Sequence, residues 1–164
     1  MNLNKEICSI KSIKKLLQLH TSIIQELKSR KVLRTRNNPV ADFSEWLVAQ
    51  SLGLNLEKNS KAGYDALDKK KNRYQIKARR TIPENKSTQL GVIRNLDKKD
   101  FDFLIGIIFK ENYEIRYAAK IPHKAVGKIA KFSKHQNGYI LHLRPEVFAD
   151  KRVEDITKLI LSNY

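Results

Sequence analysis

Apolar residues recur at helical spacing near the start of the chain. From Ile13 to Leu27 they return every three or four positions, which predicts an amphipathic helix of about five turns. Asn38 and Pro39 together supply an N-cap and a first-turn proline, and Gly53 is a typical helix terminator. We therefore predict a second helix from about Pro39 to Leu52.

The middle of the chain changes to the pattern of strands. The predicted strands are Tyr64 to Leu67, Arg73 to Ala78, Phe103 to Phe109 and Tyr113 to Ile121. The third is an almost unbroken apolar run, which is typical of a central strand that is covered on both faces. Lys69 to Asn72 and Glu111-Asn112 have the composition of tight turns, so we expect antiparallel hairpins there.

The last part of the chain adds a helix, a strand and a helix. Pro122 favours the first turn of a short helix that runs to about Ala130, and Asn137-Gly138 predicts a turn before a strand from Tyr139 to Leu143. A final helix is predicted from about Val153 to Leu161. The whole order predicts an α/β fold, with a mixed sheet of about five strands flanked by helices.

The length of 164 residues suits one domain. We divide it into an N-terminal helical extension (1–36), a core (37–144) and a C-terminal helix (145–164). Lys and Arg number 33 against 17 Asp and Glu, and the resulting net charge of +16 predicts a polyanionic partner. An anionic membrane is the weaker alternative, because no apolar run approaches the ~18 residues of a membrane span and the N-terminus has no signal-peptide core. We expect a cytoplasmic protein, and the single Cys8 fits a reducing compartment.

One carboxylate falls on an apolar face of the second predicted helix. Glu45 lies in the middle of the face that Ala41, Val48, Ala49 and Leu52 form at 100° steps. Burying a carboxylate without a partner costs several kcal/mol, so Glu45 is expected to meet a cation, a metal or hydrogen-bond donors. Taken alone, a structural salt bridge is the simpler explanation.

The predicted hairpin in the middle of the chain carries a second polar group. Gln75 and Lys77 share one face of their strand. Asp65 joins them if the hairpin loop has an odd number of residues, whereas an even loop puts it on the opposite face unless a bulge intervenes. The sequence leaves this register open, and a solvent-facing polar edge is the alternative to a site.

Together these side chains have the chemistry that phosphodiester hydrolysis requires. Carboxylate and amide oxygens suit Mg²⁺, and a nearby ammonium can orient water or stabilise charge on the phosphorus oxygens. Asp65, nine intervening residues and then Gln75-Ile76-Lys77 resembles the PD-(D/E)xK nuclease superfamily, which includes restriction endonucleases and Holliday-junction resolvases. The order of elements from about Pro39 to Leu143 resembles the core of that family.

The resemblance has two departures and several implications. Ala62-Gly63-Tyr64 replaces the proline that often precedes the aspartate, and Gln75 replaces an acidic residue, as in the Mrr-type branch. The resemblance implies a restriction-endonuclease-like fold with the catalytic residues Glu45, Asp65, Gln75 and Lys77. Of these, Asp65, Gln75 and Glu45 would be the ligands of Mg²⁺, for which Mn²⁺ is an expected substitute.

Basic and polar residues near this group are candidates for DNA contacts. They are Arg34, Arg36, Lys69, Lys70, Lys71, Arg79, Arg80, Lys86, Gln89 and Arg94. The cations would neutralise phosphates, and the long polar stretch from Arg80 to Lys99 is our choice for contacts with base edges or grooves. A solvated surface is the alternative for the lysines, and disorder is the alternative for the long stretch.

The leading hypothesis is a type II restriction endonuclease that cleaves double-stranded DNA as a homodimer, because cutting both strands calls for two sites. The alternatives are a non-catalytic DNA-binding module or a junction resolvase of the same fold, and an RNA-binding protein of the translation apparatus. The last leaves Glu45 unexplained, and few aromatic residues lie among the basic ones for base stacking.

Overall fold

The computed structural model describes residues 3–35, 38–61 and 63–164 of the chain. Two compact units are present, Met1–Phe43 and Ser44–Tyr164. The first unit contains helices α1 (Leu3–Cys8) and α2 (Ile13–Ser29). The long helix predicted from apolar spacing is confirmed as α2, and its N-cap is the Ser12 hydroxyl, which accepts a hydrogen bond from the Lys15 N–H.

Helix α3 (Val40–Leu52) follows the local signals of the sequence closely. The Asn38 side-chain oxygen accepts from the Val40 N–H at 3.2 Å, and Gly53 ends the helix with a φ of +62° that favours glycine. The residues that α3 buries are Ser44, Leu47, Val48 and Ala49. The predicted helix and both of its end signals are confirmed.

Strands pair into one large sheet and one small one. The strands are β1 (Asn55–Lys61), β2 (Tyr64–Leu67), β3 (Arg73–Arg80), β4 (Phe103–Phe109), β5 (Ile115–Pro122), β6 (Lys131–Ser133), β7 (Gly138–Ile140) and β8 (Glu154–Asp155). The large sheet has the order β1-β2-β3-β4-β5-β8, and β6 pairs with β7. Within the large sheet β3 and β4 run parallel and every other pair is antiparallel. The predicted mixed α/β sheet is confirmed, with six strands rather than about five.

The remaining helices lie in the second half of the chain. They are α4 (His123–Ile129) and α5 (Thr157–Leu161), and two short 3-10 helices cover Leu96–Lys98 and Pro145–Ala149. The predicted start of the final helix at Val153 is wrong. Pairing of β8 with β5 takes up Glu154 and Asp155, and the Asp155 carboxylate accepts from the Thr157 N–H at 2.9 Å. The helix therefore begins at Thr157.

The predicted strand from Tyr139 to Leu143 is shorter in the structure. Strand β7 ends at Ile140, and the chain beyond it forms isolated backbone hydrogen bonds with residues 88–93 instead of a continuous ladder. Leu90 N–H donates to the Leu141 oxygen at 2.9 Å, and Tyr139 N–H donates to the Ile93 oxygen at 2.8 Å. We call residues 88–96 and 138–143 the covering ribbon.

The covering ribbon packs on one face of the large sheet. The parallel register places Lys77 beside Gly106, and a Cβ on Gly106 would lie only 2.7 Å from the Leu90 side chain. Leu90, Ile93 and other ribbon residues are buried in one apolar cluster with residues of β4 and β5. The ribbon therefore covers the same face of the sheet that carries the side chains of Gln75 and Lys77.

Candidate functional site

The hairpin of β2 and β3 settles the register that the sequence left open. Leu67 pairs with Arg73, and Ala66 pairs with Tyr74, so the loop between the paired residues is 68–72. This loop has an odd number of residues, and continuing the same register puts Asp65 opposite Gln75. Residues that lie opposite each other in an antiparallel pair point to the same face. Asp65, Gln75 and Lys77 therefore share one face of the sheet.

The carboxylate of Asp65 is held by the backbone of the neighbouring strand. Its Oδ2 accepts a hydrogen bond from the Ile76 N–H at 2.7 Å. A charge-assisted bond of this kind is stronger than a neutral one and fixes the orientation of the carboxylate. Because a carboxylate accepts several bonds at once, this bond is compatible with a metal ligand role.

The amide of Gln75 is held at one end only. Its Nε2 donates to the Gly63 carbonyl oxygen at 3.0 Å, and its Oε1 is buried without a hydrogen-bond partner among the residues that the structure describes. A carbonyl oxygen can only accept, so the nitrogen must face Gly63 and the amide oxygen must point away from it. A buried oxygen without a donor is costly, and a cation is the partner that its chemistry favours.

Sequence reasoning missed the role of Gly63, whose carbonyl holds this amide, and the close approach of Asp100 to Gly63. Gly63 has a φ of +102°, and a Cβ there would lie 2.1 Å from the Cβ of Asp100. Only glycine fits such a backbone beside such a close neighbour. The positive φ has no signal in the sequence beyond the glycine itself, and the approach of Asp100 depends on the tertiary fold.

Lys77 lies in the partly buried centre of the site. Burial is the main cause that lowers the pKa of its ammonium, the nearby Asp65 charge opposes that shift, and Arg94 adds to it. A Cβ placed on Gly91 would lie 3.7 Å from the Lys77 Nζ, so the ammonium reaches the covering ribbon. The ribbon thus forms one side of the site, next to the Lys77 ammonium.

Glu45 stands on a different element from the other three residues. It is half-buried on α3, and Val48 and Ala49, which flank it on the helical wheel, are 0% and 5% exposed. The predicted apolar face is thus buried at Val48 and Ala49, half-buried at Leu52 and exposed at Ala41. The hairpin register joins Asp65, Gln75 and Lys77 and does not include Glu45, whose place among the ligands stays a prediction.

The oxygen donors of the hairpin match the preferences of Mg²⁺. Magnesium commonly takes one or two carboxylates, keeps several waters and binds phosphate oxygens of a substrate. Asp65 supplies a carboxylate, and the Gln75 Oε1 supplies an oxygen that lacks a donor. Among the described residues no group of three or more His, Cys, Asp and Glu side chains is arranged to hold a metal. The fit thus depends on the amide oxygen of Gln75 rather than on a cluster of acids.

The predicted lysines at the tip of the β2–β3 hairpin lie on a turn that is held by hydrogen bonds to Asp68. The Asp68 carboxylate accepts from the N–H groups of Lys70 and Asn72, both at 2.9 Å, and from the Asn72 side chain at 2.7 Å. The bond from the Asn72 side chain is the main cause that lowers the pKa of Asp68. Lys69, Lys70 and Lys71 are all exposed around this turn. A rigid tip with three adjacent cations suits contact with a phosphate backbone.

The other predicted DNA contacts differ in their surroundings. Arg79 is half-buried on the same face as Lys77, while the Arg80 guanidinium lies over the Tyr113 ring at 4.9 Å and donates to the Glu111 oxygen at 3.3 Å. Arg80 therefore has a structural role in the hairpin of β4 and β5. Arg34 belongs to the first unit, where its backbone N–H donates to the Asp42 carboxylate. Arg36 lies outside the described residues.

Within the stretch from Arg80 to Lys99, Leu90, Ile93 and Leu96 are buried, whereas residues 83–86 and 97–99 are exposed. Lys86 and Arg94 are exposed, whereas Gln89 is half-buried and its N–H donates to the Ser87 hydroxyl at 3.2 Å. The covering ribbon accounts for this order, so the alternative of disorder is wrong for this stretch. Contacts of its side chains with base edges stay a prediction.

Comparison with known proteins identifies no family for this chain. No protein-family model matches the chain, and no curated protein matches it significantly. Within the described ranges no helix has the length and apolar character needed to cross a bilayer. The function is therefore argued from the residues of the site.

Proposed function

We propose that the protein is a Mg²⁺-dependent endonuclease that hydrolyses phosphodiester bonds of double-stranded DNA, as type II restriction enzymes do. One observation carries the proposal. Asp65, Gln75 and Lys77 share one face of a hairpin, and no group in the described part of the chain donates a hydrogen bond to the buried Gln75 Oε1. The resemblance of this Asp…Gln-x-Lys pattern to PD-(D/E)xK nucleases of the Mrr type supports the same assignment.

The residues of the hairpin divide the work of hydrolysis. A bound Mg²⁺ supplies positive charge that polarises the phosphodiester and favours deprotonation of a water molecule. Asp65, oriented by the Ile76 N–H, and Gln75, oriented by the Gly63 carbonyl, would hold that cation. Glu45 is proposed as a third ligand from α3.

Lys77 has the chemistry to act on the reacting phosphate. Its ammonium stabilises the negative charge that develops on the phosphorus oxygens, and it orients the attacking water through a donated hydrogen bond. Burial lowers the pKa of this ammonium below its ordinary value, and the nearby Asp65 charge opposes that shift. The half-buried position beside the covering ribbon excludes water that would weaken these interactions.

The surrounding cations are proposed to bind the duplex. Lys69 to Lys71 at the hairpin tip and Arg79 beside Lys77 would neutralise phosphates on both sides of the site. Because cutting both strands of a duplex calls for two sites, we propose that the enzyme acts as a homodimer. Lys86, Gln89 and Arg94 on the covering stretch are the proposed contacts with base edges.

A non-catalytic DNA-binding module is the second candidate. It is favoured by Gln75, which removes one negative charge from the site, and by the absence of an acidic metal cluster among the described residues. It predicts DNA binding that weakens with salt and no cleavage with either Mg²⁺ or Mn²⁺. A junction resolvase of the same fold predicts cleavage at branch points instead of at a sequence.

The test is to incubate the protein with a mixed-sequence DNA library in Mg²⁺, in Mn²⁺ and in EDTA, and to sequence the ends. A restriction enzyme leaves metal-dependent ends at one motif. Asp65→Asn is expected to abolish these ends, while the matched control Asp97→Asn, on an exposed 3-10 helix, keeps them. A library that stays intact with both metals rejects the nuclease in favour of the binding module.

A further inference from the structure

A basic cavity opens beside the covering ribbon, away from the Asp65 carboxylate. Its volume is about 520 Å³, and its lining includes Lys86, Thr88, Arg116, His142, Arg144 and Glu146. A second cavity of about 630 Å³ adjoins it, since both are lined by His142, Arg144 and Glu146. None of Thr88, Arg116, His142 and Arg144 has a part in the site described above.

The charges that line the basic cavity do not balance. Lys86, Arg116 and Arg144 contribute three positive charges, and Glu146 contributes one negative charge. In the part of the chain that the structure describes, none of the three cations is in an ion pair. The Arg116 guanidinium lies over the Tyr117 ring at 5.2 Å, a contact that leaves its charge without a counter-ion. Cations gathered without carboxylate partners in a concave site favour an anionic ligand.

Two polar atoms of the lining also lack partners. The Thr88 hydroxyl oxygen and the His142 Nδ1 are buried, and neither has a hydrogen-bond partner among the described residues. Burial, together with the charges of Arg144 and Lys131, lowers the pKa of His142. A hydroxyl and two guanidinium groups form the kind of donor set that binds phosphate oxygens.

The basic cavity lies on the same side of the sheet as the candidate site. The register runs from Arg79 to Ile108 and on to Tyr117, which lines the cavity, so Tyr117 is two strands away from Arg79 in the same row. Two strand spacings measure about 10 Å. Along the covering ribbon, Thr88 in the cavity and Gly91 beside Lys77 are separated by at most about 10 Å of chain.

We propose that the basic cavity binds a phosphate group of the DNA backbone. At a separation of about 10 Å, a phosphate in the cavity is a near neighbour, along the same strand, of the phosphate at Lys77. The cavity then fixes the position of the strand in the site, because phosphate contacts set register and orientation. The assignment of DNA as the source of the phosphate rests on the proposed function.

The first arm of the test measures DNA binding in EDTA over a range of salt concentrations. Arg116→Gln with Arg144→Gln removes two exposed charges of the cavity, and Lys124→Gln with Lys158→Gln removes two exposed charges elsewhere. The cavity variant is expected to bind DNA about tenfold more weakly, with a slope of log K against log salt that is shallower by about 0.9, as for one lost phosphate contact. The control pair is expected to keep the slope of the wild type.

The second arm uses inorganic phosphate alone and does not depend on DNA. Phosphate is expected to shift the backbone amide resonances of residues 86–88 and 142–144 in the wild type and to leave them unchanged in the cavity variant. If phosphate shifts these resonances but the cavity variant binds DNA as tightly as the control pair does, the DNA backbone is rejected as the source of the bound phosphate group. The ligand of the cavity is then a free phosphate.

The remaining outcomes are equally decisive. If the wild type does not bind DNA at all, the proposed function fails. Resonance shifts caused by phosphate would then still show an anion site in the cavity, but DNA would be rejected as its ligand. If phosphate leaves these resonances unchanged and the two variant pairs bind DNA alike, the inference is overturned.

Discussion

Gln75 shows how one side chain links the backbone to the chemistry of the site. Its amide nitrogen needs an acceptor, which the Gly63 carbonyl provides, and its oxygen is left for a cation. A glutamate in the same rotamer would put a carboxylate oxygen against that carbonyl, and two acceptors repel each other. The local backbone therefore explains why an amide stands at this position, where the PD-(D/E)xK pattern has an acidic residue.

Gln75→Glu tests this explanation without any measurement of activity. In EDTA the variant loses the bond to Gly63 and buries a carboxylate, so its free energy of unfolding should fall by about 1–3 kcal/mol. Added Mg²⁺ should then raise the melting temperature of the variant more than that of the wild type. Gln50→Glu, on an exposed position of α3, is the control. An equal response of both variants to Mg²⁺ would argue against a metal at Gln75.

Lys77 is expected to cost stability while it serves function. Because burial lowers its pKa below the ordinary value of 10.5, the fold disfavours its charged form. Lys77→Met keeps a side chain of similar length and removes its charge, so the melting temperature of the variant should be no lower than that of the wild type. DNA cleavage should fall by about 100-fold or more, because the charge that stabilises the phosphate is lost. Lys98→Met, at an exposed position, should leave cleavage unchanged.

The same shift has a consequence for pH. Between the lowered pKa and 10.5 the unfolded chain holds more protons than the folded one, so Lys77 makes stability rise with pH in that window. The contribution should vanish in Lys77→Met when urea unfolding of the two proteins is compared at pH 7 and pH 10. A variant with lower stability at pH 7 would contradict this account of the site.

At the scale of elements, the sequence predicts best what local signals determine. Strands β2 and β4 match their predicted bounds, because a turn or a continuous apolar run marks their ends. Strand β1 has no alternation of apolar and polar residues, and β8 has only two residues, so both depend on pairing with a neighbour in the sheet. Tertiary pairing of this kind leaves no periodic signal in the sequence.

For the candidate site, too, the sequence predicts what local spacing determines and not what tertiary contacts determine. Its three hairpin residues could be named from their spacing, but their shared face depended on where strand pairing stops before the loop. The roles of Gly63 and Asp100 could not be foreseen, because they arise from a contact between segments that are distant along the chain.

An ion pair between Arg73 and Asp102 joins the parallel strands β3 and β4 at their N-terminal ends. The Asp102 carboxylate accepts from the Arg73 N–H at 2.8 Å and from the Arg73 guanidinium at 3.2 Å, and these bonds lower its pKa. Both side chains are more than a third exposed, so solvent screens the ion pair. It therefore contributes about 1 kcal/mol to the free energy of unfolding. Asp102→Asn should therefore lower the free energy of unfolding by about that amount at pH 7.

The effect of Asp102 has a defined pH window. Its pKa is lowered in the folded state, so its contribution is complete above the ordinary value of 3.8 and is lost as the pH falls through the lowered value. The difference between the wild type and Asp102→Asn in chemical denaturation should narrow towards pH 2. The same difference at pH 7 and pH 2 would show that Arg73 does not stabilise the ionised carboxylate.

At the scale of the whole molecule, the surplus of sixteen positive charges is an argument about partners. Part of it surrounds the hairpin site, in the lysines of the tip and in Arg79, and another part lines the basic cavity. Charge attracts DNA but does not cleave it. The proposal of catalysis therefore depends on Asp65, Gln75 and Lys77 and on the metal that their oxygens would hold.

Cleavage of plasmid DNA by the wild type and by Lys77→Met, each with Mg²⁺ and with EDTA, tests the central claim most directly. Our account predicts linear and nicked products for the wild type with Mg²⁺ only. Lys77→Met should bind the plasmid with similar affinity and leave it intact. Cleavage by Lys77→Met at the rate of the wild type, or cleavage by the wild type in EDTA, would contradict the account.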